Sequence, residues 1–114
     1  MTNPLRNQIE VKLGDETYKA RLTIDSIIQI EDAIGFSIIK LVSLMSDGDV
    51  RLSYIVTVLK HALRGGGNDL DDKKIKSIVG DTGIVDSTRI VAEILTKTLV
   101  DSDEESEEEL KKKE

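Results

Sequence analysis

The stretch Arg64-Gly65-Gly66-Gly67 separates two amphipathic helical patterns, one from Tyr54 to Arg64 and a shorter one from Asp71 to Val79. Three consecutive glycines cost backbone entropy on folding, so a chain keeps them where no Cβ fits or where φ must be positive. A phosphate-binding loop would need a strand before the glycines and Gly-Lys-Ser/Thr opening a helix after them. Here a helix precedes them and acidic residues follow. We therefore predict the C-terminus of a helix, with Gly65 as its left-handed cap.

Two runs of alternating apolar and polar residues lie near the N-terminus, on either side of Gly14-Asp15-Glu16. Alternation with a period of two is typical of strands that bury one face, so we predict an antiparallel hairpin. A lone hairpin is marginal in water and must pack on something else. The predicted register pairs Leu13 with Tyr18, Val11 with Ala20, and Ile9 with Leu22.

The next pattern predicts a helix that Thr23 or Asp25 caps, that runs to Ile34 and that Gly35 ends. Its apolar residues fall on one stripe of a helical projection, and Glu31 lies within that stripe. A carboxylate there needs a partner or the edge of the core. Two partners fit: Arg64 at the end of a neighbouring helix, or the backbone of the hairpin. The predicted apolar stripe consists of Ile24, Ile27, Ile28, Ile30 and Ile34.

A second short helix is predicted from Ile38 to Met45, capped by Ser37 and ended by Asp47-Gly48-Asp49. Only Lys40 and Ser43 are polar in it, so its apolar surface is wider than one buried face requires. Two interpretations stay open: a central helix covered on both sides, or an exposed apolar face that meets another protein. The candidate partner-binding residues are Ile38, Leu41, Val42, Leu44 and Met45, and the edge of the hairpin is a further candidate.

Three more helices follow in the pattern. Ser53 is predicted to cap the third, Asp71 caps the fourth, and Gly80-Asp81-Thr82-Gly83 precedes the last, from Ile84 to Val100. We predict an α+β fold, with the N-terminal β-hairpin packed on a compact bundle of about five short helices. Residues 1–100 form one domain, and residues 101–114 form a charged tail that is disordered or a frayed helix.

The charge of this chain is unevenly distributed. Its formal net charge is −6, but the last 14 residues hold eight acidic residues and three lysines, so the body is nearly neutral. Nucleic-acid binding needs a basic footprint, and three aromatic residues provide no stacking platform. No apolar run approaches the roughly 20 residues of a membrane span. We expect a cytoplasmic protein with no nucleic-acid or membrane partner.

The sequence offers no catalytic constellation. It has no cysteine for a thiolate metal site and a single histidine, His61, too few for a histidine-based metal site, and a Ser-His-Asp triad could be assembled only from isolated residues. Asp69, Asp71 and Asp72 lack the twelve-residue spacing and terminal glutamate of a calcium loop. We expect no enzyme, no cofactor and no metal.

Taken in order, these features resemble the small tail protein of gene transfer agents and related long-tailed phages, whose gene lies between those of the major tail protein and the tape measure protein. The resemblance covers roughly residues 9–100. It rests on Leu22-Thr23-Ile24, on Ile30 to Gly35 with Glu31 inside, on Leu52-Ser53-Tyr54, on Leu63 to Gly67, and on a last helix after Gly83.

The resemblance implies a tail protein, and relatives of this family are understood as tail assembly chaperones. These bind the long, aggregation-prone tape measure protein and keep it soluble while tube subunits polymerise around it. Self-association and contact with the major tail protein are further expectations. The alternatives are a structural component of a phage, prophage or gene transfer agent tail, and a small adaptor that binds a host protein.

Overall fold

The computed structural model describes the backbone of residues 8–112 and the side chains of residues 8–100. An antiparallel hairpin precedes five helices, which confirms the predicted α+β class. The elements are β1 (Ile9–Leu13), β2 (Glu16–Ala20), α1 (Ile24–Ile34), α2 (Ile38–Ser46), α3 (Leu52–Gly65), α4 (Asp72–Thr82) and α5 (Ile84–Lys112).

The hairpin is tighter than predicted. Leu13 pairs with Glu16 and Val11 with Tyr18, so the loop is only Gly14-Asp15 and the predicted register is wrong by two residues. Gly14 has a φ of 65°, and a glycine with positive φ allows the two-residue turns that suit twisted strands. A shift of two residues leaves every side chain on its predicted face.

Helix α3 is the central element. It packs against α1, α4, α5 and β2, while β1 lies on α4 and α5, so the apolar face of the hairpin closes the core from one side. The core is almost wholly aliphatic, as the shortage of aromatic residues requires. The buried residues of α3 are Ile55, Val58, Leu59, Ala62 and Leu63.

The boundaries of α3 and α4 differ from prediction. The N-cap of α3 is Arg51, which makes no side-chain capping bond, and Ser53 lies inside the first turn. Helix α4 continues through Gly80 and ends at Gly83, whose φ is 98°. A single glycine inside a helix costs about 1 kcal/mol, which the burial of Ile75, Ile78 and Val79 on the core side offsets.

The apolar stripe of α1 is only partly a core face. Ile30 is buried and Ile27 and Ile34 are partly buried, but Ile24 and Ile28 are exposed. With 3.6 residues per turn, Ile24 and Ile28 lie to one side of the other three isoleucines. Helix α1 packs mainly against α3 and α2, and these neighbours cover a narrower face than the sequence pattern predicts.

Helix α5 is longer than expected. It passes Val100, the predicted end, and continues to Lys112. Of the two alternatives for the tail, a disordered segment or a frayed helix, the structure has the helix. Glutamate and lysine, which dominate this segment, are good helix formers. Residues 113–114 lie outside the described part of the chain.

Candidate protein-binding surfaces

Glu31 connects α1 to α2. Its Oε2 accepts a hydrogen bond of 2.8 Å from the backbone N–H of Ile38, the first residue of α2. The first N–H groups of a helix have no intrahelical acceptor and attract negative charge, so a carboxylate is favourable there. Gly35, with a φ of 88°, turns the chain back so that the two residues meet. Both predicted partners, Arg64 and the hairpin backbone, are therefore wrong: the carboxylate caps the next helix.

The three glycines after Arg64 have two separate structural roles. Gly65 is the last residue of α3 and is not in the left-handed region, whereas Gly67 has a φ of 97°. A Cβ on Gly65 would overlap the carbonyl oxygen of Arg21, and one on Gly66 would overlap that of Lys19. The first two glycines thus allow the backbone at the end of β2 to approach the end of α3 closely. The third glycine makes the turn that was predicted for Gly65.

Asn68 completes this junction, and sequence reasoning missed it. Its Nδ2 donates to the carbonyl oxygens of Lys19, at 2.8 Å, and Leu63, at 3.0 Å. The backbone N–H of Arg21 donates to the carbonyl of Ala62 at 2.8 Å. The only sequence signal was an amide side chain directly after a glycine turn. The Gly65–Asn68 segment therefore fastens the hairpin to α3, and its polar groups are used within the chain.

Helix α2 divides the candidate binding residues into two groups. Leu41 is 0% exposed and Ile38 is 5% exposed, so these two belong to the core and are not available at the surface. Val42, Leu44 and Met45 are partly exposed. Ile39, which is not among the predicted binding residues, is 64% exposed. One face of α2 is thus buried, Val42, Leu44 and Met45 are only partly covered, and Ile39 is exposed.

Val42 and Met45 form one wall of a shallow groove between α2 and α5, the α2/α5 groove. Its volume is about 140 Å³. Leu95 at the opposite wall is buried against the core, so the groove has an apolar floor that is already well packed. The lining residues are Val42, Met45, Ser46, Ala92, Leu95 and Thr96.

Two further surfaces expose apolar side chains. On α1, Ile24 and Ile28 are four residues apart and so lie on the same side of the helix. At the start of α5, Ile84 and Val85 are exposed as well. The hairpin, a two-stranded sheet within the described chain, leaves one backbone edge of each strand unpaired.

A larger groove lies between α3 and α4, the α3/α4 groove, with a volume of about 400 Å³. Across it, Lys60 Nζ lies 2.7 Å from Asp72 Oδ1. Lys60, followed by Arg64 and Lys76, lowers the pKa of Asp72 below its usual value. Burial, followed by Lys60 and Arg64, lowers the pKa of His61. The lining residues are Leu52, Ser53, Val56, Thr57, Lys60, Asp72 and Lys76.

The described side chains offer little for chemistry. Among them, no three histidine or acidic residues lie close enough together to hold a metal ion. No helix within the described residues is long and apolar enough to cross a membrane. The surfaces that remain are apolar grooves and exposed aliphatic side chains, which suit protein partners.

The family profile described as phage tail tube protein, GTA-gp10 matches residues 6–101. The chain belongs to this family. It is therefore a tail protein of the phage and gene transfer agent type. No curated protein and no solved structure matches the chain.

The region matched by the GTA-gp10 family includes the structural features described above. It spans the hairpin, the Glu31 cap of α2, the glycine junction and both grooves, and it ends at residue 101, where the acidic segment of α5 begins.

Proposed function

We propose that this GTA-gp10 family protein is a tail assembly chaperone, which binds helical segments of the tape measure protein in the cytoplasm and keeps them soluble. It acts without catalysing a reaction. The observation that carries the proposal is the α2/α5 groove, where the aliphatic side chains of Val42 and Met45 are only partly covered, together with Ile39, which is exposed on the same helix.

The architecture supports a binding protein rather than a tube subunit. A subunit that closes a ring through its sheet needs long strands with neighbours on both sides. Within residues 8–112 there are two strands of five residues each, and both pack on helices of the same chain. Such a hairpin covers a core and offers little surface for a continuous tube wall.

The chemistry of α2 suits an amphipathic helix as the ligand. Recognition of such helices relies on apolar side chains spaced three and four residues apart that enter an apolar groove. Ile39, Val42 and Met45 follow that spacing along α2, so a partner helix that lies along α2 can contact all three. Burial of each such side chain contributes about 1.5–3 kcal/mol.

Co-expression with the tape measure protein from the same gene neighbourhood tests the proposal. The unchanged chain is expected to keep that partner soluble and to co-purify with it. Met45→Asp should abolish co-purification, because it places a charge in the contact. Ser43→Asp, on the same helix at an exposed polar position, is the matched control and should retain binding.

The proposal fails if the tape measure protein stays insoluble with the unchanged chain, or if both variants bind equally well. Circular dichroism of each variant must show the native helical signal, so that lost binding is not lost folding.

A structural role in the finished tail is the second candidate, because the matching family carries the description of a tail tube protein. Contact with the major tail protein would then be permanent. Mass spectrometry of purified particles separates the two: a chaperone is absent from mature particles, and a structural component is present in stoichiometric amounts.

A further inference from the structure

The α3/α4 groove combines an apolar floor with an excess of positive charge. Leu52 and Val56 line it, and Leu52 is exposed. Two lysines, Lys60 and Lys76, line it with a single acid, Asp72, which Lys60 already pairs, so the lining carries a net positive charge at Lys76.

The acidic extension of α5 has the complementary character in its sequence. Residues 101–112 hold seven acidic residues, and their only apolar residue is Leu110, directly after Glu107-Glu108-Glu109. The groove volume of about 400 Å³ is ample for a leucine side chain, and its rim is basic. An acidic segment with one leucine therefore complements, in charge and in apolar character, an apolar groove lined by lysines.

We propose that the acidic end of α5, around residues 107–110, docks into the α3/α4 groove of a second copy of this chain. The association is head to tail, because it joins two different surfaces of the protomer. Contacts of this kind form a ring if the rotation between successive copies closes, and an open chain if it does not.

The geometry favours a second copy over the chain's own groove. Helix α5 continues without a break from Ile84 to Lys112, so the extension follows the helix axis for about 18 Å beyond Val100 at 1.5 Å per residue. A continuous helix does not fold back on itself. The described lining of the α3/α4 groove comes from α3 and α4 only.

Sedimentation equilibrium of the full chain alone tests this inference, with no tape measure protein present, so it stands or falls independently of the proposed chaperone function. The weight-average mass is expected to rise above the protomer mass of 12.6 kDa with concentration. It should fall back as salt rises from about 50 to about 500 mM, because added ions screen charge pairs.

Two full-length variants locate the contact. Lys76→Glu reverses a charge at the groove, and the combination E107Q, E108Q, E109Q and L110S removes the charge and the leucine of the extension. Each is expected to weaken self-association about tenfold or more. Lys97→Glu, the same charge change at an exposed position of α5 outside the groove, is the matched control and should associate like the unchanged chain.

Mixing the Lys76→Glu variant with the extension variant is the decisive experiment. The groove variant keeps an intact extension and the extension variant keeps an intact groove, so the mixture should form a dimer that neither forms alone. Circular dichroism verifies that both are folded. A chain that stays monomeric to about 1 mM overturns the proposal. So does association that the extension variant leaves unchanged, or a mixture that stays monomeric.

Discussion

The junction between the hairpin and α3 and the exposed side of α2 show how differently two short motifs are used in one small fold. At the junction, Gly65 and Gly66 bring two backbones together and Asn68 satisfies two carbonyl groups, so every unusual residue has an internal role. At the start of α2, the N–H of Ile38 is bonded to Glu31 of α1, but Val42 and Met45 further along α2 remain partly exposed. The difference teaches that a rare motif is structural when its groups are satisfied within the chain, and that uncovered apolar residues indicate a partner.

Gly66→Ala should have the largest effect, because its Cβ would overlap the backbone carbonyl of Lys19, which cannot move without breaking the junction. We expect a loss of about 3 kcal/mol or more in the free energy of unfolding, as for strong overpacking. Urea denaturation followed by circular dichroism measures it.

Gly48→Ala is the matched control for Gly66→Ala. Gly48 has a φ of 75° but open space around its Cα, so the same substitution meets only the left-handed penalty of about 1–2 kcal/mol. Equal losses at the two glycines would show that the close approach at Gly66 is not what requires a glycine there.

Leu41→Ala is expected to have the next largest effect, and it tests the distinction between buried and partly exposed residues of α2. Leu41 is fully buried, and truncation of a buried leucine costs about 2–5 kcal/mol. Leu44→Ala, at a partly exposed position of the same helix, should cost less than about 1 kcal/mol. Thermal unfolding of both proteins measures the difference. Similar losses would place Leu44 in the core and remove it from the binding surface.

The sequence predicted what local chemistry decides. The caps Thr23, Ser37 and Asp71 each need only a side-chain oxygen three residues before a free N–H; Ser37 and Asp71 cap as predicted, and Thr23 is the one of the two predicted candidates that caps α1. The hairpin and its buried face follow from alternation alone. These signals lie within a few residues of one another, so no knowledge of the fold is needed.

Long-range contacts were beyond the sequence. The roles of Gly65 and Gly66 depend on the carbonyls of residues about 45 positions earlier, and Asn68 bonds one of them. The partner of Glu31 was missed for a different reason. Its acceptor role belongs to the following helix, only seven residues away, but the prediction placed its partners across the core. Likewise, which isoleucines of α1 are buried depends on which helices cover it.

Asn68→Asp tests the junction through its polar groups. The amide donates to two carbonyl oxygens, and a carboxylate would place negative charge against both of them. We expect a loss of about 2 kcal/mol, since two acceptors lose their donor and the carboxylate faces the partial negative charge of both carbonyl oxygens. Chemical denaturation at neutral pH measures it, and Asn68→Ala, which removes the donor without adding charge, should cost less. If the aspartate variant is no less stable than the alanine variant, the side chain is not held between the two carbonyls.

Glu31→Gln should have the smallest effect and the clearest meaning. The glutamine side chain keeps an oxygen that can accept the bond from the N–H of Ile38, so only the interaction of charge with the helix N-terminus is lost. That interaction contributes about 0.3–1 kcal/mol. Glu31→Ala also removes the acceptor and should cost about 1 kcal/mol more. The comparison matters for function because this bond holds the first turn of α2, and with it the position of Val42 and Met45. If Glu31→Ala lowers tape measure binding while Glu31→Gln preserves it, the hydrogen bond supports the binding surface. If the alanine variant is destabilised but binds fully, the cap belongs with the glycine junction as part of the scaffold.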